Sequence, residues 1–190
     1  MNIKHGLSFI LLFVLTGCAT SLFSFTKPLD GKNSLKPGHG AIAYVARAFG
    51  DKEVDLIIPL KLNFSITKSN IERGGLGIID APYEYKPEIS ELPAGTYSFL
   101  SVGFGHKYAS LSKCYGRIIV KEGTITYIGD IYGTVNSDKG LFGSVNIDVW
   151  DHEEKVMKEL REQYPELFIK YKQDKQIAKI AFANQVACAK

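Results

Sequence analysis

Residues 144–150 alternate without a break: Val145, Ile147 and Val149 are apolar, and Ser144, Asn146 and Asp148 between them are polar. Successive side chains of an extended strand point to opposite faces, so this pattern demands a sheet with one dry face and one wet face. It closes the longest stretch of uniform period, residues 115–150. That stretch divides into 115–121, a Glu122-Gly123 turn, 124–131, a glycine-rich loop and 144–150. Gly123 suits the positive-φ position of a tight reversal, so the first two pieces are expected to form a hairpin.

Residues 60–67 repeat the alternation, with Leu62, Phe64 and Ile66 set against Lys61, Asn63, Ser65 and Thr67. Residues 40–47 also suit a strand. Residues 83–87 suit an edge strand, because Pro87 cannot donate a ladder hydrogen bond. Leu92-Pro93-Ala94-Gly95-Thr96-Tyr97 combines a fixed φ at Pro93 with a permissive Gly95, which predicts a turn leading into a strand that begins near Tyr97. After Trp150 the period changes. Asp151 with Glu154 three residues later reads as a capping box, and Val156, Met157, Leu160 and Tyr164 share a helical stripe. Pro165 ends or kinks that helix, and Leu167, Phe168 and Tyr171 predict a second short turn. Residues 174–190, rich in Lys and Ala, suit a weak final helix.

The first residues carry a different signal. A charge at Lys4, an apolar run over 7–15 and then small residues follow the order of an export signal, and the run is shorter than the roughly 20 residues of a permanent membrane helix. Leu15-Thr16-Gly17-Cys18 resembles the lipobox of bacterial lipoproteins. The resemblance implies cleavage after Gly17, acylation of Cys18, and a bilayer as partner through that residue. Ala19 follows the cysteine where an aspartate would accompany inner-membrane retention, so the resemblance points to the outer membrane, on its periplasmic face. The expected organisation is a leader over 1–17, a lipidated N-terminus and tether over 18–38, a β domain over 39–150 and a helical extension over 151–190 packed on it.

The segment from Pro93 to Tyr97, with Gly116-Arg117-Ile118-Ile119-Val120 and Thr126-Tyr127-Ile128-Gly129-Asp130-Ile131, resembles uncharacterised bacterial lipoproteins with a prealbumin-like or carboxypeptidase-regulatory-like domain. The resemblance implies a mainly β fold, an antiparallel β-sandwich with C-terminal helices. It brings no catalytic set with it.

Charge and cysteine content narrow the function classes. Twenty-three basic against twenty acidic side chains leave no basic footprint for nucleic acid. Cys114 and Cys188 either close one disulfide or are small buried and tail residues that never meet. His39, His106 and His152 are scattered singly and no cysteine pair has zinc-site spacing, so no metal or cofactor is expected. The glycines around 73–77 lack the Lys-Ser/Thr ending of a phosphate loop. Ser101 or Ser110, His106 or His152, and Asp130, Asp138 or Asp148 supply the atoms of a triad without a nucleophile-elbow context.

The least periodic stretches of the middle region, 103–113 and 131–142, read as loops on a rigid scaffold, the usual place for binding. Phe104, His106, Tyr108, Tyr132 and Phe142 are therefore the candidate partner-binding residues. An envelope protein or a glycan is the expected partner class. The expectation is thus a non-enzymatic envelope lipoprotein with a binding or structural role, with an inhibitor of an envelope enzyme and an envelope hydrolase as the alternatives.

Overall fold

The computed structural model describes residues 27–29, 33–50, 62–68, 77–81, 84–104, 107–112, 115–136 and 144–185. Along the chain these form β1 (Lys27–Pro28), β2 (His39–Gly50), β3 (Leu62–Lys68), β4 (Gly77–Ala81), β5 (Pro87–Pro93), β6 (Gly95–Phe104) and β7 (Lys107–Ser110). There follow β8 (Ile118–Val120), β9 (Thr124–Asn136), β10 (Ser144–Trp150), α1 (Glu153–Gln163), α2 (Pro165–Lys170) and β11 (Lys172–Lys175). One sheet has the order β1-β5-β2-β9-β10, with β11 also on β9; the other has the order β4-β3-β6-β7, with β8 also on β6. A mostly β domain with two C-terminal helices is what the alternating sequence requires.

The expectation of purely antiparallel pairing is corrected. β9 runs parallel to β2, and β11 runs parallel to β9. The reason lies in the reversal at Glu122-Gly123. Gly123 has φ +63° as expected, but β8 pairs with β6 in one sheet while β9 joins the other. The turn is a passage between sheets, so the expected hairpin does not form. Pro93-Ala94-Gly95 makes a second passage, from β5 to β6, and the Tyr97 hydroxyl braces it by donating to the Pro93 carbonyl at 2.6 Å.

Three further expectations change. Residues 131–136 continue β9, and 107–110 form a strand paired with β6, so the described part of each supposed loop is mainly sheet. Of residues 84–87 only Pro87 is in a strand, at the start of β5, which lies between β1 and β2 and pairs with β1 at Ser90 and Glu91. Residues 172–185 are not helical: β11 and the extended chain after it bond to the sheets, through Gln176 N–H to the Tyr127 carbonyl and Ala178 N–H to the Ile128 carbonyl, both at 2.8 Å. Open backbone groups on β9 satisfy this segment better than an isolated short helix would. The described part of the tether also adheres to the domain, where Leu29 and Leu35 are buried.

β9 carries the irregularity that matters most. Its pairing with β2 steps from Ala43↔Tyr127 to Val45↔Asp130, two residues against three, which is a β-bulge. Gly129 sits in it at φ +107°, and a Cβ there would lie 2.6 Å from Val149 Cγ1. Before the bulge Ile125 and Tyr127 face the helices; after it Ile131 and Val135 face the other sheet. The side-chain parity has been reversed, as an extra residue demands.

Two core clusters result. One takes residues from both sheets, including Ile42 and Tyr44 of β2, Phe99 and Val102 of β6, Val120 of β8 and Ile131 of β9. The other joins Val156, Met157 and Leu160 of α1 and Leu167 and Phe168 of α2 to Ala43, Val45, Ile89, Ile125 and Tyr127. Each fully buried aliphatic side chain stabilises by about 1.5–3 kcal/mol, so the amphipathic stripe suffices to dock α1 on the sheet. His152, not Asp151, occupies the N-cap position, and no side-chain cap closes there. Asp151 accepts from the first-turn Glu153 N–H at 3.3 Å and forms an ion pair with Lys175 at 2.6 Å, so it still serves the helix start, one position earlier than a capping box requires. Pro165 opens α2 at its first turn, where a missing N–H costs nothing.

Candidate functional site

The helix-bearing face of the six-stranded sheet is covered as far as Val45 on β2 and Tyr127 on β9. Beyond them the same face continues. Register places Arg47 opposite Tyr132, Phe49 opposite Thr134, Asp148 opposite Tyr132 and Trp150 opposite Asp130, and residues directly opposite share a face. In β10, Asn146, Asp148 and Trp150 are exposed while Val145, Ile147 and Val149 turn inward.

The rings on this face form a continuous shelf. Phe49 and Tyr132 stack with centroids 5.9 Å apart, Tyr132 and Trp150 lie 5.0 Å apart, and the His152 ring meets Trp150 edge-on at 5.9 Å. Arg47 lies over Phe49 at 4.5 Å, and Lys155 over Tyr85 at 4.1 Å, attracted by the ring quadrupoles. Trp150 is 55% exposed, which is unusual for the largest side chain a sequence can place.

Under the shelf is a buried carboxylate. Asp130 is inaccessible to solvent. It accepts from the Tyr127 hydroxyl at 2.8 Å and from the Tyr132 hydroxyl at 3.4 Å, and it lies 2.9 Å from His152 Nδ1. The His152 N–H in turn donates to the Tyr127 hydroxyl oxygen at 3.0 Å. With Asp130 as acceptor, Nδ1 carries the proton, and Nε2 is the ring nitrogen not engaged by the carboxylate. Burial, then the neighbouring carboxylate, raises the Tyr132 hydroxyl above its ordinary range. Burial drives Tyr127 well above it too, and burial followed by Glu159 pushes Tyr85 up to about 12. These hydroxyls are fixed donors around neutral pH. Beside the shelf an open cleft of about 460 Å³ is lined by Asp151, His152, Glu153, Glu154, Lys155 and Lys175.

Of the residues singled out from the sequence, Tyr132 is in this site, on a strand rather than a loop. Phe104 and Tyr108 belong to β6 and β7 of the other sheet, so the two stretches do not form one surface with Tyr132. Cys18, His106, Cys114, Phe142 and Cys188 lie outside the described residues. Asp130 and His152 are brought together as two members of a triad would be. Ser101 and Ser110, however, pair with each other across β6 and β7 on the other sheet. No group of three or more metal-binding side chains occurs among the described residues.

Sequence reasoning missed Arg47, Phe49 and Trp150. The available signal was Trp150 itself, which falls on the wet parity of residues 144–150 next to Asn146 and Asp148. No protein-family model matches the chain, and the search of curated proteins finds no significant match.

Proposed function

We propose that this chain is a lipid-anchored protein of the bacterial outer membrane whose β-sandwich domain holds a partner on the shelf around Trp150 and performs no covalent chemistry. The anchor rests on the resemblance of Leu15-Thr16-Gly17-Cys18 to a lipobox, and two or more acyl chains hold a protein stably where one does so marginally. The sandwich reading is supported by the single core cluster to which both sheets contribute.

The observation that carries the binding role is the exposed Trp150 within a four-ring ladder, between Tyr132 and His152. Large aromatic side chains left in water on a rigid surface supply contact area at little entropic cost, which is the character of binding hot spots. The Asp130–His152 pair fits this role as well. It fixes the imidazole that forms one end of the shelf, and Ser101 and Ser110, the serines singled out for a triad, are on the other sheet.

Growing cells fed labelled palmitate, followed by fractionation, test the anchor: label and membrane association are expected for the natural chain and their loss for Cys18→Ser. Capture from detergent-solubilised envelopes tests the shelf, with a reproducible partner expected for the natural chain and lost for Trp150→Ala. An unlabelled natural chain would overturn the anchor, and partners retained by Trp150→Ala would overturn the shelf.

A further inference from the structure

We propose that the shelf takes an uncharged oligosaccharide, with a pyranose ring lying on Trp150 and Tyr132. This inference rests on the binding role given above and names its ligand class.

A sugar ring has an apolar side of C–H groups and a rim of hydroxyls that both donate and accept. It is met best by an aromatic plate with donors and acceptors of both kinds around it. The shelf has that composition. Tyr132 and Trp150 lie 5.0 Å apart, inclined at 47°, and Trp150 is the more exposed of the two. Asn146 and Asp148 rise beside them from alternate positions of β10 and are exposed. Arg47, half-buried and opposite Tyr132 in the register, is a fixed donor on the far side. His152, held at Nδ1 by Asp130, has Nε2 as its second polar atom.

The alternatives fit less well. A ligand of net charge would meet a like charge whichever its sign, because Arg47 and Asp148 flank Tyr132 from both sides. A neutral polyol has hydroxyls that can donate to the Asp148 carboxylate and accept from a guanidinium. A surface set on three paired strands is also preorganised, so little ordering entropy opposes a small rigid ligand.

Trp150 is the chain's single tryptophan, so its emission reports on this surface and no other. The full chain in detergent is titrated with neutral tetrasaccharides of glucose, galactose and N-acetylglucosamine, and with uncharged tetrapeptides as controls. A saturable change in Trp150 emission is expected with at least one sugar and with no peptide. Affinity should fall at least tenfold in Tyr132→Ala and in Asp148→Ala, while Ile169→Ser, at a site 87% exposed on α2, should leave it unchanged. Asp148→Ala alters an exposed side chain and keeps the test valid if Tyr132→Ala fails to fold. Silence toward every sugar, or equal affinity in Asp148→Ala, overturns the saccharide assignment. A response to peptides alone overturns it while leaving the binding role standing. Absence of both responses together with unaltered envelope capture by Trp150→Ala ends both.

Discussion

His152 Nδ1 stands 2.9 Å from Asp130 Oδ2, which ties the residue before α1 to the first residue past the bulge of β9. The bulge is what makes the contact. Without its extra residue Asp130 would point into the core between the sheets, where a carboxylate would have no partner. With it, Asp130 meets two hydroxyls and an imidazole, and the helix start is fixed beside Trp150.

Replacing Asp130 by Asn is expected to destabilise the fold by about 1–3 kcal/mol, because an amide cannot accept from all three groups and one buried donor is left unpaired. Urea denaturation measures this. His152→Ala, at a partly exposed side chain, should cost less. The two changes together should be less than additive, since they remove one shared contact. Additive costs would mean that the pair is not coupled.

Gly129→Ala is expected to cost at least about 1–3 kcal/mol, because φ +107° is a conformation L side chains rarely adopt. The new methyl would also press on Val149 Cγ1. The same substitution should weaken binding at Trp150, whose carbonyl lies 3.3 Å from the added carbon. Calorimetric melting of the variant checks the first point. An unchanged midpoint would contradict the bulge geometry.

The tyrosines give a pH dependence of definite sign. Burial pushes Tyr97 up to about 12 and lifts Tyr44 and Tyr127 well above the ordinary value of about 10. Their folded-state values exceed the unfolded one, so the unfolded chain gives up its protons first. The stability they contribute is fully present below pH 10 and is lost as pH rises through and beyond it. Tyrosinate absorbance should therefore show a fraction of residues that ionise only with loss of structure. Titration of every tyrosine near 10 in the folded protein would contradict this.

Leu160→Ala should cost about 2–5 kcal/mol, because the side chain is wholly buried between α1 and the sheet. Ile169→Ala, on the exposed side of α2, should be nearly neutral. Chemical denaturation of the two variants compares them directly. Equal small effects would mean that α1 is not docked as described.

Much of this fold was legible in residue order, and the reasons for the rest are specific. β10 and the stripe of α1 are regular, so their burial followed from period alone. The reversal at Glu122-Gly123 was visible, but a turn's residues do not say which strand its arms will pair with, and here they separate into two sheets. Sequence ends this strand at Ile131 because Gly133, Gly140 and Gly143 resemble loop residues, whereas Gly133 continues β9 and Gly129, within the expected strand, forms a bulge. The weak apolar pattern after Lys172 suggested a helix, while the open backbone of β9 claimed that segment as a strand. The shelf was the least legible, since its members come from residues 47–49, 132 and 146–152 and are neighbours only through a parallel pairing that no local pattern encodes.

The most direct test of the account places a photoreactive residue at Thr134, opposite Phe49 on the shelf face, and at Ile169, on α2, in the full chain within growing cells. Irradiation is expected to give a discrete adduct from position 134, lost when Tyr132 is also replaced by Ala, and none from position 169. An adduct from position 169 with none from 134 would contradict the claim that this protein engages its partner through the surface around Trp150.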